Sequence, residues 1–247
     1  MSEVGKRSRM NEVFREDGKT LIVPMESLSP HKPWDEIARS VIKGEADAIM
    51  TTPGILKQYH NYVVGKIPII LTVPLQTFYI RLALKMGCSA VKWAYFGPID
   101  KLPSEQVQKF SLECDKHGVP FYLELVPMTA PLSEGGLFIT DADVLMKTCL
   151  LAASLGADFI KTNFTDDPEA FKNITSACPI PVTILGGERV SDEACLKRIK
   201  GAIDGGAAGG AFGRNVTTHA NPEKIVRAIQ RIIHNNASVQ EAMNELK

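Results

Sequence analysis

Apolar runs of strand length alternate with segments of helical spacing along nearly the whole chain. TLIVPME (residues 20–26) is the first such run. In PWDEIARSVIKG (33–44), Trp34, Ile37, Ala38, Val41 and Ile42 recur at the spacing of one helix face, and Gly44 marks the stop. The alternation repeats with strands predicted at 46–52, 67–73, 90–96, 121–127, 158–164, 181–187 and 207–215, each followed by a helical pattern. NPEKIVRAIQRIIHN (221–235) is the helix after the last of them.

Strands alternating with helices at this period predict βα units and a parallel sheet. Eight units with none left over predict an α/β fold, a closed (β/α)8 TIM barrel in a single domain over 18–247; an open doubly wound sheet is the alternative. Strands that are apolar throughout suit a sheet covered by helices on its outer face. Residues 1–17 are polar and read as an N-terminal arm, mobile or at an interface.

Composition narrows the partners. The 28 basic and 28 acidic residues balance, which argues against a nucleic-acid or membrane surface as main partner. No apolar stretch approaches the ~20 residues of a membrane span, and the first residues lack the apolar centre of a signal peptide. Five cysteines without a CxxC and five scattered histidines without HxH or HExxH predict free thiols in a reducing cytoplasm, no metal and no cofactor.

Charges at strand ends change this picture. Glu26 ends the first strand, Lys92 and Tyr95 lie on the fourth, Glu124 sits between Leu123 and Leu125 on the fifth, and Lys161 interrupts DFIKTNF on the sixth. A barrel holds its active site at the C-terminal ends of its strands. Facing outward, these charges would be buried against apolar helices; facing inward, they converge. A buried salt-bridge network, Lys92 with Glu26 and Lys161 with Glu124, is the structural alternative. The functional reading makes Lys161 a nucleophilic amine that forms a Schiff base with a carbonyl substrate. Lys92 is then the neighbouring cation that lowers its pKa, and Glu124 or Tyr95 the proton carrier. Glu124, raised by desolvation and lowered by the two lysines, is expected to titrate between its ordinary value and neutrality. Glycines at the ends of the last two strands, Gly186 and Gly187 in LGGER and Gly213 beside Arg214 in GGAFGRN, predict a phosphate-binding segment.

IKTNFTDDPEAFKNI, PVTILGGERV and AIDGGAAGGAFGRNV…HANPEKIVRAI resemble the DeoC/LacD superfamily of class I aldolases. The likeness runs through nearly the whole chain and is most specific after residue 156. The C-terminal third is similar to archaeal-type fructose-bisphosphate aldolases. VKWAYF and HGVPFYLELVP are similar to tagatose-bisphosphate aldolases.

The resemblance implies Lys161 as the Schiff-base lysine, Lys92 and Glu124 as active-site lysine and acid–base, and Tyr95 as the tyrosine that moves protons in the archaeal branch. It also implies phosphate binding at Gly186, Gly187, Gly213 and Arg214. A metal-independent aldehyde-lyase acting on a ketose phosphate, cytoplasmic and multimeric, is the expectation. A transaldolase-like synthase or thiolase of the same superfamily, a non-covalent isomerase and a sugar-phosphate sensor are the alternatives. The chain departs from both branches at Glu26–Ser27, where an aspartate is usual, and at VPMTAP (126–131), where the archaeal branch often has an arginine.

Overall fold

The computed structural model describes residues 2–26 and 33–247, so Ser27 lies outside the described residues. Eight parallel strands close into a barrel in chain order. They are β1 (Thr20–Pro24), β2 (Ala48–Thr51), β3 (Ile69–Thr72), β4 (Ala90–Gly97), β5 (Phe121–Pro127), β6 (Phe159–Thr162), β7 (Val182–Leu185) and β8 (Gly209–Ala211). Helices α2 (Trp34–Lys43), α3 (Pro53–Val63), α4 (Phe78–Lys85), α5 (Ser104–His117), α6 (Ala142–Ser154), α7 (Pro168–Ala177) and α8 (Asp192–Asp204) follow β1 to β7 in turn. The short α9 (Arg214–Thr217) and the long α10 (Pro222–Asn235) follow β8, and α11 (Val239–Asn244) comes last. The eight expected strands are all present, most of them trimmed by one to four residues at their ends.

Closure depends on one glycine. β1 meets β8 through Thr20↔Gly209, Leu21↔Gly210 and Ile22↔Ala211. Gly209 has a φ of 106°, and a Cβ there would stand 1.8 Å from the Thr20 carbonyl oxygen. Only glycine lets the two backbones approach so closely.

Side chains alternate between two cores. Outward-facing strand residues pack with the helices' apolar stripes in one large layer, including Leu21, Val23, Leu123 and Leu125 from the strands. The last long helix shows why the helices dock: Ile225, Val226, Ala228, Ile229, Ile232 and Ile233 are all buried on one face of α10. Each aliphatic side chain of this size contributes roughly 1.5–3 kcal/mol on burial. Inward-facing residues Ile22, Met50, Ile70, Tyr122 and Phe159 fill the lower barrel. Tyr122 stacks on Phe159 with ring centroids 4.1 Å apart.

The N-terminal segment is a helix, α1 (Ser2–Val13), and not a free arm. Its polar residues hide the reason at its end. Val13 and Phe14 are buried under the barrel, where Phe14 meets Phe159 edge-on at 5.3 Å. Lys6 bridges to Asp158 at 2.9 Å and Arg9 donates to the Gly118 carbonyl at 3.0 Å, fixing the helix over the floor.

Candidate active site

The alternation that builds the lower core carries polar residues at the level above it. Lys92, Glu124 and Lys161 share the inward face with Ala90, Tyr122 and Phe159, two residues below them on the same strands. Glu124 pairs in register with Lys161 on β6. All three are buried, with 3%, 4% and 6% of their surface exposed.

Glu124 stands between the two amines. One oxygen lies 2.5 Å from Lys161 Nζ, and the other lies 2.7 Å from Lys92 Nζ. Lys92 Nζ also lies 3.1 Å from Glu26 Oε1, the same oxygen that accepts from the Thr72 hydroxyl. Basic and acidic side chains thus alternate from Lys161 through Glu124 and Lys92 to Glu26, across strands β6, β5, β4 and the end of β1.

This order corrects one electrostatic expectation. Burial by itself would raise the Glu124 carboxyl, but Lys161 and Lys92, one on each oxygen, override it and hold the group at about 2. The expected value nearer neutrality does not hold for this cluster. Burial likewise pulls Lys92 down, and the carboxylates of Glu124 and Glu26 outweigh it, leaving the ammonium above its ordinary value. Lys92 is a charged cation that shares the Glu124 carboxylate with Lys161.

Above the cluster lies a cavity of about 300 Å³. Glu26, Glu124 and Lys161 line it, with Gly186, Gly187, Gly213 and Arg214 along the β7–β8 side. Gly187 has a φ of +66°, and nothing lies within 4 Å of the place a Cβ would occupy. The side of the chain on which a Cβ would stand is therefore open. Arg214 is largely exposed, 4.0 Å from Glu188.

Tyr95 is not brought to the cluster. It lies three residues after Lys92 and so on the opposite face of β4, packed against the outer layer beside Trp93. Its hydroxyl donates to the Pro98 carbonyl at 2.9 Å. Burial, with Asp100 as a smaller influence, raises its hydroxyl above the ordinary value.

Several participants were not singled out from the sequence. Asn215, almost fully buried, donates to the carbonyls of Gly186 and Glu188, both at 3.0 Å, and accepts from the Val190 N–H at 3.1 Å. It fixes the glycine turn after β7. Its signal was its place beside Arg214 in GRN. Thr72 bonds Glu26, and its signal was its position at the C-terminal end of β3, in register with Lys92. Phe138 lines the cavity from the segment after β5, where Met128 and Phe138 form an antiparallel bridge. Asn163 ties that segment down through the Ile139 carbonyl at 2.8 Å. Among the described residues, no group of three or more His, Cys, Asp or Glu is placed to hold a metal ion. No helix among them is long and apolar enough to cross a membrane.

The sequence pattern of the DeoC/LacD family aldolases matches residues 14–219. The chain belongs to that family. Two curated family relatives are 2-amino-3,7-dideoxy-D-threo-hept-6-ulosonate synthases. That of Archaeoglobus fulgidus is 28% identical, with 97% of this chain and 95% of the relative aligned. That of Halobacterium salinarum is 29% identical over 98% and 97%. A solved Schiff-base-forming fructose-1,6-bisphosphate aldolase superposes with a TM-score of 0.78 at 23% identity, covering 93% of this chain and all of the other. At that identity the superposition speaks for the shared barrel.

Proposed function

We propose that this aldolase works through a Schiff base between Lys161 and the carbonyl of a phosphorylated ketose or related keto compound, forming or cleaving a carbon–carbon bond without a metal. The observation that supports it best is the Lys161–Glu124–Lys92 array, buried at the C-terminal ends of adjacent strands and open to a cavity. A stabilising ion network does not need a cavity, and a barrel's chemistry sits at this face.

The array supplies a proton cycle. Lys161 must shed a proton to attack, and Glu124 at 2.5 Å is the nearest acceptor. Attack on the carbonyl gives a neutral carbinolamine. One of the two cations that hold the Glu124 carboxyl down is then gone, its pKa rises, and it delivers the proton to the departing hydroxyl as water leaves. The iminium that forms restores positive charge beside Glu124 and lowers its pKa again. The carboxylate is then the base that takes the proton of the substrate hydroxyl whose carbon–carbon bond breaks. The electron pair of that bond moves into the iminium, giving an enamine. Lys92 remains charged throughout, fixing Glu124 and favouring the anionic oxygens that develop nearby. Glu124 is therefore the main proton carrier, and Tyr95, turned to the other face of β4, has a supporting part at most.

The open Gly187 backbone, the Gly186 and Gly213 turns and Arg214 receive the substrate phosphate. The names of the two curated relatives favour a second reading within the same chemistry, a transaldolase-like synthase that passes the Lys161-bound fragment to another acceptor. Assay on ketose phosphates tests the proposal. Activity is expected to survive EDTA, and borohydride is expected to inactivate the enzyme irreversibly only while substrate is present. Loss of activity in EDTA with recovery on added zinc would overturn the metal-free mechanism.

A further inference from the structure

The cavity has one more polar side chain in its wall, Thr217, which takes no part in the Lys161–Glu124–Lys92 array. Thr217 closes α9, three residues after Arg214. Side chains three apart on a helical turn are neighbours on one face, and these two both line the cavity. The residues between them anchor the turn. Val216 is fully buried in the outer core. Asn215 spends its side-chain amide on the Gly186 and Glu188 carbonyls and the Val190 N–H. The main chain is pinned as well: the N–H groups of Val216 and Thr217 both donate to the Gly213 carbonyl, at 2.9 and 2.8 Å.

Thr217 is only 8% exposed, and among the described residues its hydroxyl has no hydrogen-bond partner. Thr20 and Thr162 also carry unpartnered hydroxyls, but those are sealed in the interior, whereas Thr217 opens onto the cavity. A buried hydroxyl without a partner costs free energy, and a valine of the same shape would fill the space without that cost. The position thus carries a donor whose partner comes from what enters the cavity.

Resting on the reading of this side of the cavity as the phosphate site, we propose that Thr217 is a direct ligand of the substrate phosphate: its hydroxyl donates to one phosphoryl oxygen while the Arg214 guanidinium pairs with another. The two side chains contribute different things. Arg214 is long and largely exposed, and it brings charge. Thr217 is short, β-branched and carried on a pinned backbone, so its donor has a fixed direction. Thr217 is thereby a specificity residue for the phosphorylated end of the substrate.

Borohydride trapping on Lys161 tests this without requiring turnover. The concentration giving half-maximal trapping is measured for dihydroxyacetone phosphate and for dihydroxyacetone, on wild type, Thr217→Val and Thr217→Ser. Thr217→Val keeps the shape and removes the donor. It is expected to raise the value roughly tenfold for the phosphate ester, as for one lost hydrogen bond to a charged group, and by less than about twofold for dihydroxyacetone. Thr217→Ser keeps the donor and is expected to stay within about threefold of wild type for both. Trapping of dihydroxyacetone also reports that the Lys161 cluster is intact in each variant. An unchanged value for the phosphate ester in Thr217→Val would overturn the inference and leave the Schiff base standing. Equal rises for both compounds would overturn it too, because Thr217 would then only shape the turn. If wild type traps neither compound, the Schiff-base reading falls, and titration with inorganic phosphate at constant ionic strength decides Thr217 separately: weaker binding to Thr217→Val supports its role, and equal binding overturns it.

Discussion

Two buried carboxylates, Asp47 below the barrel and Glu124 within it, have nearly the same exposure, 4% and 5% of the side chain. Their partners differ in kind. Asp47 accepts from the Leu21 backbone N–H at 2.6 Å, from Arg15, and from His234 Nε2 at 2.9 Å. His234 in turn reaches Asp17 at 2.8 Å through its other ring nitrogen. These groups tie the start of β1, the entry to β2 and α10 together at the floor. Among the described residues Glu124 has no backbone donor; its two oxygens face two lysines beside a cavity. A carboxylate held by the main chain fixes the scaffold. One held only by amines changes its proton affinity when either amine changes charge. Burial and charge are thus shared by the two acids, and partner type and access to a cavity set them apart.

Substitutions sharpen the contrast, the largest effect first. Lys161→Met is expected to remove turnover, with a loss beyond the ~10²–10⁴-fold typical of a missing general acid or base. Residual activity above about a hundredth of wild type in a steady-state assay would break the covalent account. Glu124→Gln is expected to slow turnover by ~10²–10⁴-fold while borohydride still traps some substrate. It also carries a signature in stability. The Glu124 carboxyl is lowered from its ordinary 4.5 to about 2 on folding, so its contribution is full above pH 4.5 and fades as pH falls toward 2. The stability gap between wild type and Glu124→Gln, followed by urea unfolding, is therefore expected to narrow over that window.

Asp47→Asn is the counterpart at the floor. Breaking a buried, hydrogen-bonded ionic contact is expected to cost about 2–4 kcal/mol of stability. Turnover per folded molecule is expected to stay within about twofold. Matching losses of turnover in the Asp47 and Glu124 variants would erase the distinction between the two faces. Arg214→Ala is expected to raise KM roughly tenfold for a phosphorylated substrate and little for an unphosphorylated analogue, in line with one lost charged hydrogen bond. Tyr95→Phe comes last, with turnover expected within a few-fold of wild type. A dead Tyr95→Phe beside an active Glu124→Gln would exchange their roles.

The barrel was legible because burial on both sheet faces and a single apolar stripe per helix leave their periods in the chain. Lys92, Glu124 and Lys161 were legible for a related reason: a charge within a strand covered by apolar helices has only the inside to face. Tyr95 was misplaced because its residue type was read without its parity. Three positions from Lys92 on a strand means the other side of the sheet. The Glu124 shift was misjudged because burial was weighed above the two lysines, and how closely each approaches the carboxylate is a distance between strands that no local pattern records. Val13 and Phe14 escaped notice because two apolar residues at the end of a polar helix give no periodic signal. Asn215, Thr72 and Phe138 act through contacts between segments distant in sequence, and short polar or turn-rich text does not declare them.

The central claim is that Lys161, and not its cationic neighbour Lys92, bonds the substrate carbonyl. Reduction with borohydride in the presence of dihydroxyacetone phosphate, followed by proteolysis and peptide mass mapping, reads this directly. The account predicts one reduced adduct, on the peptide containing Lys161, absent from Lys161→Met and retained in Glu124→Gln. An adduct on Lys92, or none on either lysine while the enzyme still turns over, would contradict it.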